Sequence, residues 1–317
     1  MSEAPLVSVV MPFLDSARFI AESVASVRTQ TYPHWELLLC DDGSTDGSAE
    51  LALRLAELDP ERIRVLGHPG GGTRGASAAR NLGIRAARGA YIALLDADDL
   101  WLPHKLAEQV ALLERTPEAD VLVGATEFWY GWTGRPEDAR RDHVVRIGMS
   151  CGTLVRPPRF LAHMIRGTVA VPCTCSLVAR REAVLRSGGF EESFREVYTD
   201  QAFYAKLFLA SSVLIVDTQW DRYRIHESSS CVRTERAGGM LDVRRRYLEW
   251  LDRYLSARPG VSPGVRRALA RAKWEARHPA AARTLAGIRR GARWLLRRAR
   301  AVLPGSLPGR RPLTSDQ

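Results

Sequence analysis

Residues 90–101 read A-Y-I-A-L-L-D-A-D-D-L-W. The run 90–95 is apolar and suits a β-strand, and it delivers three carboxylates, Asp96, Asp98 and Asp99, within four positions. Charges of one sign that close together raise one another's pKa, so the cluster needs compensation. A divalent cation held by hard oxygen ligands supplies it, and such a cation commonly bridges substrate phosphates. Taken alone, the stretch is either a metal and nucleoside-diphosphate site or a solvated acidic turn, since aspartate is common in turns. Its neighbours decide.

Upstream, residues 6–13 (L-V-S-V-V-M-P-F) form a near-continuous apolar run, as expected of a strand covered on both faces. Asp15 or Ser16 is placed to cap a helix whose apolar stripe is Phe19, Ile20, Val24 and Val27. Residues 35–40 (W-E-L-L-L-C) give a second buried strand, which runs straight into D-D-G-S-T-D-G-S. A helix over 48–58, a short strand over 63–66, a glycine-rich loop over 67–75 and a helix over 76–87 follow, and 103–115 forms the helix after the acidic cluster. Four strand–helix alternations in about 115 residues imply right-handed βαβ units and an open, mostly parallel sheet. Ligands bind beyond the carboxyl ends of such strands. The ends at Pro12-Phe13, Asp41-Asp42 and Asp96–Asp99 therefore open onto one edge.

Beyond Val121 the alternation weakens. The pattern predicts a strand over 121–130, a polar loop over 131–146, a helix over 156–165, extended chain over 175–178, and helices over 180–186 and 198–209. Two late strands, 213–216 and 221–225, precede His226, and the chain beyond Ala237 reads as helical.

The chain has 317 residues, 45% hydrophobic and 26% charged, as in a soluble globular protein with ample core. Its net charge of +10 is unevenly spread. Residues 261–317 carry 14 Lys and Arg against two acids, a net +12, which leaves −2 on the first 260. No signal peptide is visible, and the longest mostly apolar segment, 207–216, is half of what a membrane span needs. The five cysteines, Cys40, Cys151, Cys173, Cys175 and Cys231, show neither a disulfide framework nor zinc spacing. They read as buried thiols in a reducing, cytoplasmic setting.

Taken in order, V-S-V-V-M-P-F, S-V-R-T-Q-T-Y, W-E-L-L-L-C-D-D-G-S-T-D, G-A-S-A-A-R-N-L-G-I, the acidic strand, G-G-F-E-E-S-F, Y-T-D-Q-A-F and Y-R-I-H-E-S-S-S make a specific series. It resembles the family 2 glycosyltransferases, and the resemblance covers residues 6–226. It implies an α/β GT-A (Rossmann-like) fold, with a mostly parallel sheet flanked by helices, over residues 1–232. Residues 233–317 are then a basic α-helical extension. The implied activity is sugar transfer with inversion from a nucleoside-diphosphate sugar, a UDP-sugar, to a glycan or lipid-linked acceptor hydroxyl.

The same resemblance implies the site. Pro12 and Phe13 lie against the nucleobase, Asp42 accepts a base N–H with Asp41 orienting it, and Arg80 reaches the phosphates or base. Asp98 ligates Mn²⁺ or Mg²⁺, with Asp96 or Asp99 at the ribose or the metal shell and His226 as a late ligand. Arg224 is a further phosphate candidate. Asp200 takes the slot of the catalytic base, which removes the acceptor hydroxyl's proton. Three departures from the pattern stand out: Phe13-Leu14 where Tyr-Asn is usual, and Thr199 where a glutamate usually precedes the base.

The C-terminal run G-I-R-R-G-A-R-W-L-L-R-R-A-R-A-V-L sets Ile288, Trp294, Leu295, Leu296 and Val302 among arginines. Such a helix suits the interface of an anionic membrane, which makes the protein cytoplasmic and peripheral at the inner face; an ordinary basic cap or tail is the alternative. Nucleic acid is not an expected partner, since no recognised binding fold accompanies the charge. Two other functions share the acidic site. A sugar-1-phosphate nucleotidyltransferase needs an early glycine-rich signature with a lysine, absent from 11–18. A non-catalytic sugar-nucleotide-binding protein has no use for Asp200.

Overall fold

The structure, a computed structural model, describes residues 4–284. The first half alternates as its hydrophobic pattern dictates: β1 (Val7–Phe13), α1 (Ile20–Arg28), β2 (Trp35–Asp41), α2 (Ser48–Glu57), β3 (Ile63–Gly67), α3 (Ala76–Ala86) and β4 (Tyr91–Leu94). β5 (Leu100–Trp101), α4 (Lys105–Arg115) and β6 (Val121–Trp129) follow. Next come α5 (Pro136–Ala139), β7 (His143–Val145), β8 (Thr153–Val155), α6 (Arg159–Ile165), β9 (Val178–Arg180) and α7 (Arg181–Ser187). The described chain ends with α8 (Thr199–Leu207), β10 (Val213–Arg224), α9 (Ser230–Arg236), α10 (Met240–Ser256) and α11 (Pro263–Arg277).

Among the described residues ten strands form one sheet, ordered β3-β2-β1-β4-β9-β6-β10-β5, with β7 on β6 and β8 on β10. The longest pairings, β1 with β2 and β6 with β10, are parallel. β9 is antiparallel to both β4 and β6, so β6 and β10 run in the same direction as β4 and β1. The carboxyl ends of β1, β2, β4, β6 and β10 therefore share one edge. The expected α/β sheet flanked by helices is the observed one.

Burial explains the strand sequences. Every residue of β1 is buried, and so are those of β2 up to Cys40. Pro12 has no N–H to give, and it lies beyond Val10, the last β1 residue paired with β4. Charges within this layer are matched at the opposite, amino edge. The buried Glu36 carboxylate accepts hydrogen bonds from Ser8 Oγ (2.7 Å), Arg88 N (2.8 Å) and Arg64 Nη2 (2.9 Å). Burial pushes its carboxyl up, but these partners outweigh it, so its pKa falls below the ordinary glutamate value. Helix α3 sits tight on the sheet because residue 83 is glycine: a Cβ there would lie 2.5 Å from Val10 Cγ1 and 2.8 Å from Cys40 Sγ.

Some expectations give way. Neither Asp15 nor Ser16 caps α1; Asp15, at φ 48°, accepts the Thr45 N–H (2.7 Å) and so ties two loops of the functional edge. The two late strands are one, β10, whose register against β6 shifts between Ile215 and Arg222; that irregularity carries the polar D-T-Q that looks like a break. The polar loop 131–146 holds α5 and β7, while Thr174–Ser176 makes a 3₁₀ turn rather than extended chain. All five cysteines are free, but Cys151 and Cys231 are exposed rather than buried.

The boundary between two compact units falls between Lys273 and Trp274. No helix among the described residues is long and apolar enough to cross a membrane. The arginine-rich segment with Ile288, Trp294 and Val302 lies outside the described residues.

Candidate active site

The turn after β4 is closed by the Asp99 N–H donating to Asp96 O (3.0 Å), and it aims its three carboxylates at three different partners. Asp96 Oδ1 accepts from Arg80 Nη2 (2.6 Å), and its Oδ2 accepts from Thr174 Oγ1 (3.2 Å). Asp98 Oδ2 lies 2.8 Å from His226 Nε2. Asp99 is fully buried: Oδ1 accepts the Arg224 N–H (2.9 Å) and Oδ2 has no partner. Burial, reinforced by the charges of Asp98 and Asp96, pushes the Asp99 carboxyl well above the usual range. The like-charge problem posed by the sequence is thus met three ways, by a guanidinium, an imidazole and burial.

Arg224, the last residue of β10, ties this turn to its surroundings. Its Nε donates to Asp98 O (2.7 Å) and its Nη2 to Glu22 (2.6 Å). Its guanidinium carbon lies 4.8 Å from the Phe19 ring centroid and 4.7 Å from that of Trp129. Two residues on, His226 Nδ1 meets Ser228 Oγ at 2.7 Å, which fixes the ring that faces Asp98. The same ring leans on Phe19, 4.9 Å between centroids.

Arg80, on α3, links the acidic turn to α8. It is 6% exposed, donates to Asp96, and reaches Thr199 Oγ1 at 3.3 Å. Burial weakens its charge, but Asp96 more than restores it, and its pKa is net raised. Phe190 lies 5.1 Å beneath the guanidinium and is held by Asn81 through both its N–H (2.7 Å) and its carbonyl (3.0 Å). Asp200 sits one residue beyond Thr199 in the first turn of α8. The position ahead of that helix is Tyr198, at φ 62°, and no side chain caps it. Burial raises the Asp200 carboxyl above its ordinary value and Asp96 adds to this, while backbone N–H groups and Arg80 hold it down. A carboxylate so poised accepts a proton more readily than an ordinary aspartate.

The edge beyond β1 and β2 is built mainly from backbone. Pro12 and Phe13 are buried. Asp41 Oδ1 accepts the Ser44 N–H (3.0 Å) and hydroxyl (2.6 Å). Asp42 accepts the N–H groups of Arg74 (2.9 Å) and Gly75 (2.8 Å) and meets His68 Nε2 at 3.2 Å, so it anchors the glycine-rich loop. That loop is strapped from the other side by Arg195, whose Nε donates to Arg74 O (3.1 Å) and Nη2 to Thr73 O (3.0 Å). Gly75, at φ 100°, has no room for a Cβ, which would stand 2.8 Å from that of Arg195.

The sequence-predicted residues thus divide into two groups. Asp96, Asp98, Asp99, Arg80, Asp200 and His226 gather around the β4 turn, while Pro12, Phe13, Asp41 and Asp42 line the neighbouring strand ends. Thr174, which contacts Asp96, carries no local pattern that sequence reading could have used, and Thr199, which stood out only as a departure ahead of the expected base, gives no sign in the sequence of its contact with Arg80. Among the described residues no three His, Cys, Asp or Glu side chains converge as a metal cage. A hard cation that takes one or two carboxylates and completes its shell with substrate phosphates needs no such cage. The Asp98 carboxylate and the His226 imidazole, with Asp96 two positions away, are a donor set that fits Mn²⁺ or Mg²⁺.

A family model described as "Glycosyl transferase family 2" matches residues 8–188, more than half of the chain. The chain belongs to glycosyl transferase family 2. It is 39% identical over 108 residues to the UDP-Glc:alpha-D-GlcNAc-diphosphoundecaprenol beta-1,3-glucosyltransferase WfgD of Escherichia coli, covering 34% of this chain and 41% of WfgD. The chain spans 41–44% of the length of the first curated relatives it matches. Among solved structures, residues 1–349 of S. aureus TarS in complex with UDP-GlcNAc superpose with a TM-score of 0.56 at 20% identity, covering 71% of this chain and 60% of that 1–349 chain. The mannosyltransferase PcManGT of Pyrobaculum calidifontis, in complex with GDP-Man and Mn²⁺, gives a TM-score of 0.58 at 20% identity, covering 93% and 81%. These structural likenesses establish the GT-A fold of this family 2 chain.

Proposed function

We propose that the chain is a metal-dependent, inverting glycosyltransferase that moves a sugar from a UDP-sugar to an acceptor hydroxyl in glycan, polysaccharide or glycolipid assembly. The observation that carries the reading is the meeting of Arg80–Asp96, Asp98–His226 and Asp200 at one sheet edge. The catalytic part is residues 1–232, and residues 233–317 are an extension. Its helix α10 packs Tyr247 on Tyr198, 5.0 Å between centroids, just ahead of Asp200.

In this reading Pro12 and Phe13 bound the nucleobase, Asp42 shapes its pocket through the glycine-rich loop, and Asp41 does so through the turn at Ser44. Arg80 fixes Asp96 toward the ribose and diphosphate. Asp98 and His226 would hold Mn²⁺ or Mg²⁺, and Asp99 backs them from beneath. When bound, the cation offsets the negative charge that develops on the departing nucleoside diphosphate. An Asp200 Oδ takes the proton of the acceptor hydroxyl as that oxygen bonds to the anomeric carbon, on the face opposite the breaking bond, which inverts the centre. The diphosphoundecaprenol-linked acceptor in the name of WfgD supports a lipid-linked acceptor here. An anionic membrane at the cytoplasmic inner face would meet the C-terminal arginines.

Calorimetric titration of the full chain with UDP, GDP, ADP and CDP in Mn²⁺ tests the donor assignment. UDP binds at least about tenfold more tightly than the others, a gap of about 1.4 kcal/mol. Preference for another base overturns UDP as the carrier, and absence of nucleotide binding overturns the enzyme.

A further inference from the structure

The sequence offers no motif between Phe128 and Thr174, yet this stretch builds a cavity of about 780 Å³ against the acidic turn. It opens beyond the carboxyl ends of β6 and β10, across β4 from the nucleobase strands β1 and β2. His226 is in its wall and, through Nε2, faces Asp98. A molecule in the cavity therefore stands beside the cation-holding pair, on the side that the donor's base does not occupy.

The lining limits the chemistry of what the cavity can take. Trp132 donates its Nε1–H to Ile225 O (2.8 Å) and is held edge-on by Phe19 (5.6 Å) and His226 (6.4 Å). Fixed in this way, the indole is a rigid apolar wall of the kind that packs on the C–H face of a sugar ring. Around it stand three guanidinium groups, Arg18, Arg135 and Arg141. Arg18 lies 4.8 Å from the Trp132 centroid, and Arg141 lies 4.0 Å from that of Tyr130 and pairs with Asp138 at 3.5 Å. Arg18 and Arg135 have no ion-pair partner among the described residues, and the other acid in the wall, Glu227, is taken by Arg236. All three arginines are exposed; two have no ion-pair partner among the described residues and the third is shared with Asp138, and beside the indole face they suit a sugar with a multiply charged anionic ester.

We propose that this cavity is the acceptor subsite and that it selects a saccharide carrying a phosphate or diphosphate ester, recognised by Arg18, Arg135 and Arg141 with the sugar against Trp132. The proposal rests on the glycosyltransferase reading above. The ester has two sources, a soluble sugar phosphate or the head of a lipid-linked sugar, and the charge recognition is the same for both.

The full chain, saturated with UDP and Mn²⁺ so that the nucleotide's own phosphates do not compete, is titrated with four probes. These are N-acetylglucosamine, its 1-phosphate, glucuronic acid, and a farnesyl-diphosphate-linked N-acetylglucosamine. The 1-phosphate binds at least about tenfold more tightly than the free sugar or glucuronic acid, the scale of a charge-assisted contact. Arg135→Ala and Arg18→Ala each weaken it about five- to tenfold. Arg140→Ala, an exposed arginine of the same segment outside the cavity, leaves it unchanged. Equal binding of the 1-phosphate and the farnesyl compound assigns recognition to the phosphate alone, and tighter binding of the latter assigns the lipid-linked source. Equal binding of free sugar and 1-phosphate, binding of glucuronic acid as tight as that of the 1-phosphate, or loss of neither arginine mattering, overturns the proposal. Failure to bind any of the four nucleoside diphosphates with Mn²⁺ sinks the enzyme reading instead, and the 1-phosphate titration of the nucleotide-free protein still decides the cavity.

Discussion

Asp200→Asn lowers kcat by about 10²–10⁴-fold, the range for loss of a general base, and leaves UDP affinity within about twofold. The carboxamide keeps the shape of the side chain at the start of α8 but cannot take a proton from the acceptor. No side-chain cap is made by Tyr198 ahead of α8, and the amide oxygen can still accept from the backbone N–H groups that face this carboxyl. The pH profile carries a second signature. The folded-state pKa of Asp200 is raised, first by burial, so the base is lost by protonation at a higher pH than an ordinary aspartate with a pKa near about 3.9. The acid limb of kcat/KM therefore falls above that value. Arg80 is among the groups that hold the pKa down, so Arg80→Gln moves the limb to still higher pH. Unchanged donor turnover in Asp200→Asn removes Asp200 from the mechanism and favours the non-catalytic binding protein.

In the proposed mechanism Asp98→Ala abolishes metal-stimulated turnover, by about 10²-fold or more, because it deletes the hard oxygen ligand assigned there and leaves only the His226 imidazole of that pair. The side chain is 29% exposed and its carboxylate is hydrogen-bonded to His226, so the fold tolerates its loss. Mn²⁺ titration of turnover, with circular dichroism as the check on folding, measures it. Full metal-dependent turnover in the variant withdraws Asp98 from the cation site.

The first half of the fold was legible because β1, β2 and β4 are buried on both faces and read as continuous apolar runs, and because α1 carries a clear apolar stripe. The Asp96–Asp99 turn was legible because local repulsion demands an explanation. Beyond Val121 the signal fails for stated reasons. β10 bends through polar residues 217–219, and β7, β8 and β9 are three residues long, too short to show alternation. At the site, the contacts of Thr174 with Asp96 and of Thr199 with Arg80 span 78 and 119 positions, and no window of sequence contains them. The division of labour among the aspartates was hidden in the same way, since burial separates Asp99 from Asp98 and nothing in D-A-D-D announces it.

The Arg195 strap has a kinetic consequence. The glycine-rich loop anchored by Asp42 hangs from Arg195, whose carbonyl also accepts the Ala76 N–H (3.0 Å), while Phe194 O takes the Ser77 hydroxyl (2.6 Å). Arg195 lies five positions before Asp200, so a nucleotide that settles the loop also settles the entry to α8. For the proposed UDP-sugar reaction the expected result is addition in a fixed sequence, donor ahead of acceptor, with UDP leaving last. Product inhibition reads this directly: UDP competes with the donor and is noncompetitive toward the acceptor, whereas mutual independence of the two would mean that the strap transmits nothing.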